Sequence, residues 1–274
     1  MLRRVSTFTF LLVICLQIIA FAAPSAPPIS AEAAVLIDAK TGQILFGKDE
    51  HKVMYPASTT KMMTCLVALE KGDLNSMVVV SPSAARPRYD ESLLELKAGD
   101  QLPLRQMLTG MMLVSGNDAA EAVAEHIGGS LAGFVDMMNQ KAKMMGLENT
   151  HFSNPHGLPD PSNHYSTALD LATIAYYGLK NPEFAKIVST RTYEFTFNNR
   201  PGLQQIKNTN RLLRTFPGCI GVKTGSTQAS GDCLVAAAER GGSKLIVVVL
   251  NDDERWDDAA NLLEYGFMVQ AGSN

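Results

Sequence analysis

The sequence is poor in charge and in aromatics. Only 19% of its 274 residues are Asp, Glu, Lys or Arg, and 7% are Phe, Trp or Tyr, with a single tryptophan. It has no block of like charge and no basic face, and the formal net charge is -3, which argues against nucleic acid as a partner. Four cysteines are too few for a disulfide framework, and no Cys or His pair stands at the spacing of a zinc site. Internal repeats and low-complexity tracts are absent. What remains is 46% hydrophobic residues, the composition of one large folded domain or one domain with a small appendage.

The one long apolar run lies at the start. Arg3 and Arg4 precede a stretch from Phe8 to Ala22, followed by Pro24, Pro27 and Pro28. A basic region, an apolar segment and the small-residue exit Ala20-Phe21-Ala22 describe a secretory signal peptide, cleaved after Ala22 or after Ala31. An uncleaved anchor is the alternative reading. Export puts the chain in the wall, the periplasm or the medium, with no stable membrane contact once residues 1–31 are removed. Cys15 is incidental to this leader. Of Cys65, Cys219 and Cys233 at least one is free in a monomer, because three is odd, and a Cys219–Cys233 bridge stays open.

Past the leader, Ala33 to Ile37 and Gln43 to Phe46 read as a hairpin around Asp38-Ala39-Lys40-Thr41-Gly42. A helix is expected from Ser58, apolar at Met62, Met63, Leu66, Val67 and Leu69, and ending at Lys71-Gly72. Val78 to Val80 is a short strand. Leu104, Met107, Leu108, Met111 and Met112 recur at helical spacing, where methionine is a flexible core filler. A helix opening at Ala119 follows Ser115-Gly116-Asn117-Asp118, another spans about Leu131 to Met145, and a further one is capped by Ser166 or Thr167. Beyond Pro182 strands are expected at Thr190 to Asn198, Ile220 to Thr224, Cys233 to Ala238 and Lys244 to Leu250, then a helix from about Arg255 to Phe267. The fold class is α/β (α+β). An antiparallel sheet from about 33–54 and 190–270 is flanked by helices, a mostly helical subdomain covers about 72–188, and the whole forms one domain over 32–274.

The loop Asn149 to Tyr165 holds His151, His156 and His164, but Asp160 is its only acid and no H-E-x-x-H pairing exists. Packing is the expected role there, and neither metal nor cofactor is expected. Three other segments interrupt apolar elements with polar residues: Ser58-x-x-Lys61, Ser115-Gly116-Asn117 and Lys223-Thr224-Gly225. On a helix, residues i and i+3 share a face, so with Ser58 in the first turn its oxygen and the Lys61 amine point into one space, the geometry of a nucleophile with an attached base; by itself the spacing also fits a surface Ser-Lys pair. Lys40-Thr41-Gly42 repeats the third motif but lies in a hairpin turn, where it has no chemical role to play.

The ordered trio is the signature of penicillin-binding proteins and class A β-lactamases. With Asp38 to Leu45, Pro56 to Thr64, Ser115 to Ala120, Asn154-Pro155-His156-Gly157-Leu158 and Gly221 to Gly225, the chain resembles the serine D-alanyl-D-alanine carboxypeptidases, the low-molecular-mass penicillin-binding proteins, over about Ala33 to Phe267. The resemblance implies the penicillin-binding-protein/β-lactamase-like transpeptidase fold. It also implies an acyl-enzyme on Ser58, peptidoglycan stem peptides ending in D-Ala-D-Ala as substrate, and β-lactams as covalent inhibitors.

Roles follow from chemistry and agree with the resemblance. Lys61, crowded by Lys223 and an apolar helix, is the base, and the Ser58 and Ser226 backbone N–H groups are candidates for the oxyanion hole. Ser115 relays the proton to the leaving amine, and Asn117 holds substrate or Lys61. Lys223 sets the field, Gly225 leaves the strand edge open, and Thr224 and Ser226 donate to the terminal carboxylate. The resemblance adds Arg255 to carboxylate recognition.

A class A β-lactamase would carry a deacylating glutamate in Glu-x-x-x-Asn. Glu183 is followed instead by Phe184-Ala185-Lys186-Ile187, so slow turnover of a penicilloyl-Ser58 is expected. The sequence ends seven residues after Phe267, without the C-terminal β-domain and amphipathic helix of many such carboxypeptidases. A D,D-endopeptidase, a weak β-lactamase and a non-enzymatic peptidoglycan-binding protein are the competing readings.

Overall fold

The computed structural model describes residues 24–272, so most of the expected leader over 1–31, with Cys15 and the first of its two expected cleavage points, after Ala22, lies outside the described residues. The opening hairpin forms as read: β1 (Ala33–Asp38) pairs antiparallel with β2 (Ile44–Lys48). In its turn Asp38 Oδ1 accepts from the N–H groups of Lys40 and Thr41, so this Lys-Thr-Gly is spent on closing a loop. The strand β1 also pairs with β9 (Ser243–Leu250), which pairs with β8 (Gly231–Arg240), which pairs with β7 (Cys219–Thr227). The five-stranded order is β2-β1-β9-β8-β7, so β7 is an edge strand.

Both faces of this sheet are covered, and the near-continuous apolar runs of β8 and β9 follow from that. On one face Leu36, Leu234, Val247 and Val249 pack with Ala259, Leu262 and Leu263 of α8 (Arg255–Gly272). On the other, Val35, Ile37, Val235, Ile246 and Val248 join the helical block. That block comprises α1 (Lys61–Lys71), α2 (Leu104–Val114), α3 (Asn117–Gly128), α4 (Leu131–Met144), α5 (Ala168–Lys180) and α6 (Pro182–Ser189). The central helix is α1, in which every residue from Lys61 to Ala68 is buried.

Local structure departs from or adds to the sequence reading at several points. Ser58 lies not in an α-helix but in a 3-10 turn, Ala57–Thr60, that leads into α1. The segment from Pro182 is helix α6, with Asn181 capping through Oδ1 to the N–H groups of Glu183 and Phe184 and Pro182 in its first turn. Thr192–Thr196 (β5) does not enter the main sheet but pairs with Leu203–Lys207 (β6) as a separate ribbon. The sheet assigned to 190–270 therefore begins only at Cys219; alternation marks a half-buried strand but does not name its partner. A second ribbon joins β3 (Met77–Val79) to β4 (Gln101–Pro103). A short helix, α7 (Leu212–Thr215), precedes β7.

Cys65, Cys219 and Cys233 are all free. Cys219 is opposite Ala238 while Cys233 is opposite Gly225, which puts the two thiols on different rungs of the β7–β8 ladder. Six residues of strand separate the rungs by roughly 20 Å, well beyond a disulfide's reach of about 7 Å between Cα atoms. Burial pushes all three thiols above their usual range.

Candidate active site

The turn carrying Ser58 is clamped from two sides. Ala57 has φ 48°, a left-handed conformation that costs a non-glycine residue about 1–3 kcal/mol and persists only where its surroundings enforce it. The enforcement is visible. A Cβ on Gly157, itself at φ +95°, would stand 1.8 Å from the Ala57 carbonyl oxygen, and a Cβ on Gly225 would stand 3.0 Å from the Ser58 backbone nitrogen. Two glycines thus let the Asn154–Leu158 loop and the edge of β7 close on the same turn. Lys61 and Thr64 strap that loop down, Lys61 Nζ donating to the His156 carbonyl at 2.8 Å and Thr64 Oγ1 to the Pro155 carbonyl at 2.6 Å, while Thr60 Oγ1 meets His164 Nε2, farther along the chain, at 2.8 Å. Of the four turn residues only Ser58 is not buried.

Lys61 is fully buried. Its Nζ lies 3.0 Å from Ser58 Oγ, 2.6 Å from Asn117 Oδ1 and 2.8 Å from the His156 carbonyl oxygen. Burial, and next the charge of Lys223, hold its pKa well below the usual lysine range. The consequence is directional. A neutral amine has two N–H donors and one lone pair; two carbonyl oxygens take the donors, and the lone pair is left for the Ser58 hydroxyl.

Ser115 is the left-handed residue, φ 65°, between α2 and α3, and it is buried. Its Oγ has no hydrogen bond among the described residues in this resting geometry, whereas Asn117 two residues later touches Lys61 directly. Lys223 is buried on β7, and burial, with the charge of Arg255 behind it, brings its pKa down to about 7. Thr224 Oγ1 lies 2.7 Å from Thr209 Oγ1, and Thr209 N–H is in turn held by the Leu113 carbonyl at the end of α2. Ser226, past Gly225, is exposed. Arg255 donates to the Gly225 carbonyl at 2.9 Å and pairs with Asp232 at 3.2 Å. Arg255 therefore holds the strand that carries Thr224 and Ser226. Glu183 is on α6 and ion-paired to Arg105, apart from these residues.

Five partners escaped the sequence reading because they come from other segments: Glu121, Arg86, Arg88, Glu91 and Thr209. Glu121 of α3 is buried and meets His156 Nε2 at 3.3 Å and Arg88 at 2.6 Å, with Arg86 as a third partner. Burial pushes the Glu121 carboxyl up, but hydrogen bonds from His156, Arg86 and Arg88 outweigh it and hold it far below the carboxylate range. The Leu158 N–H donates to His156 Nδ1, so the proton on that ring sits at Nε2, facing Glu121. Burial keeps His156 below its usual pKa and brings His164 to about 3; both are neutral struts. Glu91 accepts from Asn117 Nδ2 at 2.8 Å, and Thr209 buttresses Thr224.

Known proteins share the sequence pattern and the fold of this chain. The family model described as D-alanyl-D-alanine carboxypeptidase matches residues 20–254. The chain belongs to that family. It is 39% identical over 244 residues to D-alanyl-D-alanine carboxypeptidase DacF of Bacillus subtilis, covering 86% of this chain and 62% of that protein's length. Against DacB2 of Mycobacterium tuberculosis it is 38% identical, covering 86% of this chain and 81% of the relative. The crystal structure of the Streptomyces K15 DD-transpeptidase superposes with a TM-score of 0.83 at 35% identity, over 89% of this chain and 99% of that one. The penicillin-binding-protein transpeptidase fold expected from the motifs is thus the fold observed.

One consequence of the charges concerns the pair of lysines. Lys223→Met removes a cation that depresses Lys61, so the Lys61 pKa rises and the acid limb of Ser58 acylation moves to higher pH, whatever happens to the plateau. Acylation rates with penicillin between pH 4 and 10 read this out. Stability responds separately. With a folded pKa of about 7 against 10.5, the unfolded chain binds more protons in between, so wild type gains on Lys223→Met as pH rises through that window.

Proposed function

We propose that this protein is a serine-type D-Ala-D-Ala carboxypeptidase that removes the terminal D-alanine of peptidoglycan stem peptides through an acyl-enzyme on Ser58. The observation that carries the reading is the contact set of Lys61, a buried amine with two carbonyl oxygens on its N–H groups and Ser58 Oγ at 3.0 Å. The neutral amine takes the Ser58 proton as Oγ attacks the scissile carbonyl. The bond from Oγ to carbon forms, and electron density moves to the carbonyl oxygen, toward the Ser58 and Ser226 N–H groups. Collapse expels the D-alanine nitrogen, which receives a proton from Lys61 by way of Ser115; water then repeats the sequence and frees Ser58.

The strand β7 is at the edge of the sheet, so an extended peptide can lie beside it as an added strand, while Gly225, expected to keep that edge open, instead makes room for the Ser58 turn. Thr224 and Ser226, in the positive field of Lys223 and Arg255, receive the terminal carboxylate. The same attack on a β-lactam ring gives a penicilloyl-Ser58. The arginine-led apolar N-terminus supports export, where peptidoglycan lies.

The K15 relative is described as a DD-transpeptidase, so an amine in place of water as the acceptor is the second reading. Incubating the protein with diacetyl-Lys-D-Ala-D-Ala should release D-alanine. Adding glycylglycine tests whether product is diverted from acid to amide. Intact mass after benzylpenicillin should show one adduct, absent from Ser58→Ala; an adduct that persists in that variant sinks the mechanism. Slow loss of the adduct, over minutes or longer, separates the protein from a β-lactamase.

A further inference from the structure

Lys61 closes a ring of hydrogen bonds and ion pairs. From Lys61 Nζ the path runs to Asn117 Oδ1, from Asn117 Nδ2 to Glu91 Oε2 at 2.8 Å, and from Glu91 to Arg88 at 3.2 Å. It continues from Arg88 to Glu121 at 2.6 Å, from Glu121 to His156 at 3.3 Å, and from the His156 carbonyl back to Lys61 at 2.8 Å. Both carbonyl oxygens that orient the amine are therefore themselves held, one through Glu91 and one through Glu121, with the buried Arg88 joining the two carboxylates.

The two halves are not equivalent. The His156 carbonyl is backbone and cannot present anything but an acceptor. Asn117 is a side-chain amide, and a half-turn about its last bond would aim Nδ2 at Lys61, where a donor would compete for the lone pair that Ser58 needs. A carboxylate only accepts, so Glu91 admits one of the two amide orientations and rejects the other. Its own place is fixed from behind. The Asn117 N–H donates to the Ser92 carbonyl at 2.8 Å, and Asp118 accepts from the N–H groups of Leu94 and Leu96, so the 91–96 segment is sewn to the start of α3.

We propose that Glu91 is a positioning residue for the reaction of Ser58: by accepting from Asn117 Nδ2 it keeps Oδ1 on Lys61 and the amine lone pair on the nucleophile. The inference rests on the reading of Lys61 as base. Glu91 contacts neither substrate nor Ser58, and nothing in the Ser-x-Asn motif announces it, since it precedes Asn117 by 26 residues.

Two variants separate acceptor from charge. In Glu91→Gln, Arg88 still demands an acceptor at the same place, which keeps the amide oxygen on Asn117; the plateau rate of penicillin acylation should stay within about twofold of wild type. The lost negative charge lowers the Lys61 pKa, so the acid limb moves to lower pH. The charged groups facing Lys61 set that limb: Lys223 from β7, Asp118 from α3, Glu91 and Arg88 from the 81–96 loop, with His156 neutral. Glu91→Leu removes the acceptor and should slow acylation about tenfold, while Arg88 retains Glu121 and the fold.

In an Asn117→Ala background, Glu91→Leu should add no further loss, because its effect passes through that amide. Wild-type rates in Glu91→Leu, equal losses in the Gln and Leu variants, or additive losses with Asn117→Ala each overturn the proposal. Absence of acylation in the wild type would instead overturn the reading of Ser58 and Lys61 on which it rests.

Discussion

Lys61→Met is expected to be acylated by penicillin about a thousandfold more slowly than wild type, with its fold kept. Methionine matches the volume of the buried lysine stem, and it removes an amine whose pKa burial, and next Lys223, push well down. Two acceptors, Asn117 Oδ1 and the His156 carbonyl, lose their donor, which costs each about 1–3 kcal/mol if no water replaces it. Relief from the buried amine works the other way, so the melting temperature should move by only a few degrees. The pH profile is the sharper sign: the acid limb set by Lys61 should vanish, leaving a slow rate nearly flat in pH. Mass spectrometry of the adduct against time, at several pH values, measures both. A Lys61→Met rate within tenfold of wild type would remove Lys61 from the role of base.

The second large effect is expected from a steric change with no change of charge. Gly157→Ala places a methyl 1.8 Å from the Ala57 carbonyl oxygen, and the backbone at φ +95° resists any side chain. The clash cannot be relieved by a rotamer, because the obstructing atom is main chain. We expect a loss of stability of more than about 3 kcal/mol, combining strained backbone and overpacking, which is a fall of roughly 10 °C for a domain of this size. Acylation should fall with it, since the displaced atoms belong to the residue before Ser58. Gly129→Ala is the control: it also has positive φ, 69°, but nothing lies within 4 Å of the added carbon. Its cost should be about 1 kcal/mol with acylation unchanged. Equal effects of the two alanines in a thermal melt would show that the clamp on Ala57 is slack.

Much of the fold was legible because it is written in local periods. The opening hairpin, the helices of the middle block and the apolar strands β8 and β9 each carry their own pattern. Where the reading missed, the information was not local. The β5 strand alternates as a strand should, yet its partner is β6 rather than the sheet, and α6 begins at the same proline that signals a break. The 3-10 turn at Ser58 is imposed by Gly157 and Gly225 from either side, so helical spacing alone could not distinguish it from the first turn of α1. The histidine loop shows the same limit. Asp160 was its only acid in sequence, but the carboxylate that meets His156 is Glu121, folded in from α3.

By itself the sequence determined which chemical groups this protein commits and in what order: Ser58 and Lys61 at one turn's spacing, Ser115 and Asn117 at a helix junction, Lys223 to Ser226 on a strand. Such motifs survive inspection because backbone geometry joins neighbours a few residues apart. The tertiary structure alone decided what those groups are worth. Lys61 meets Asn117 across 56 residues and the His156 carbonyl across 95, and its low pKa comes first from the removal of water by elements that share no local pattern with it. Desolvation and through-space contact are properties of packing, so the state of the amine beside Ser58 was never in the spacing that first drew attention to it.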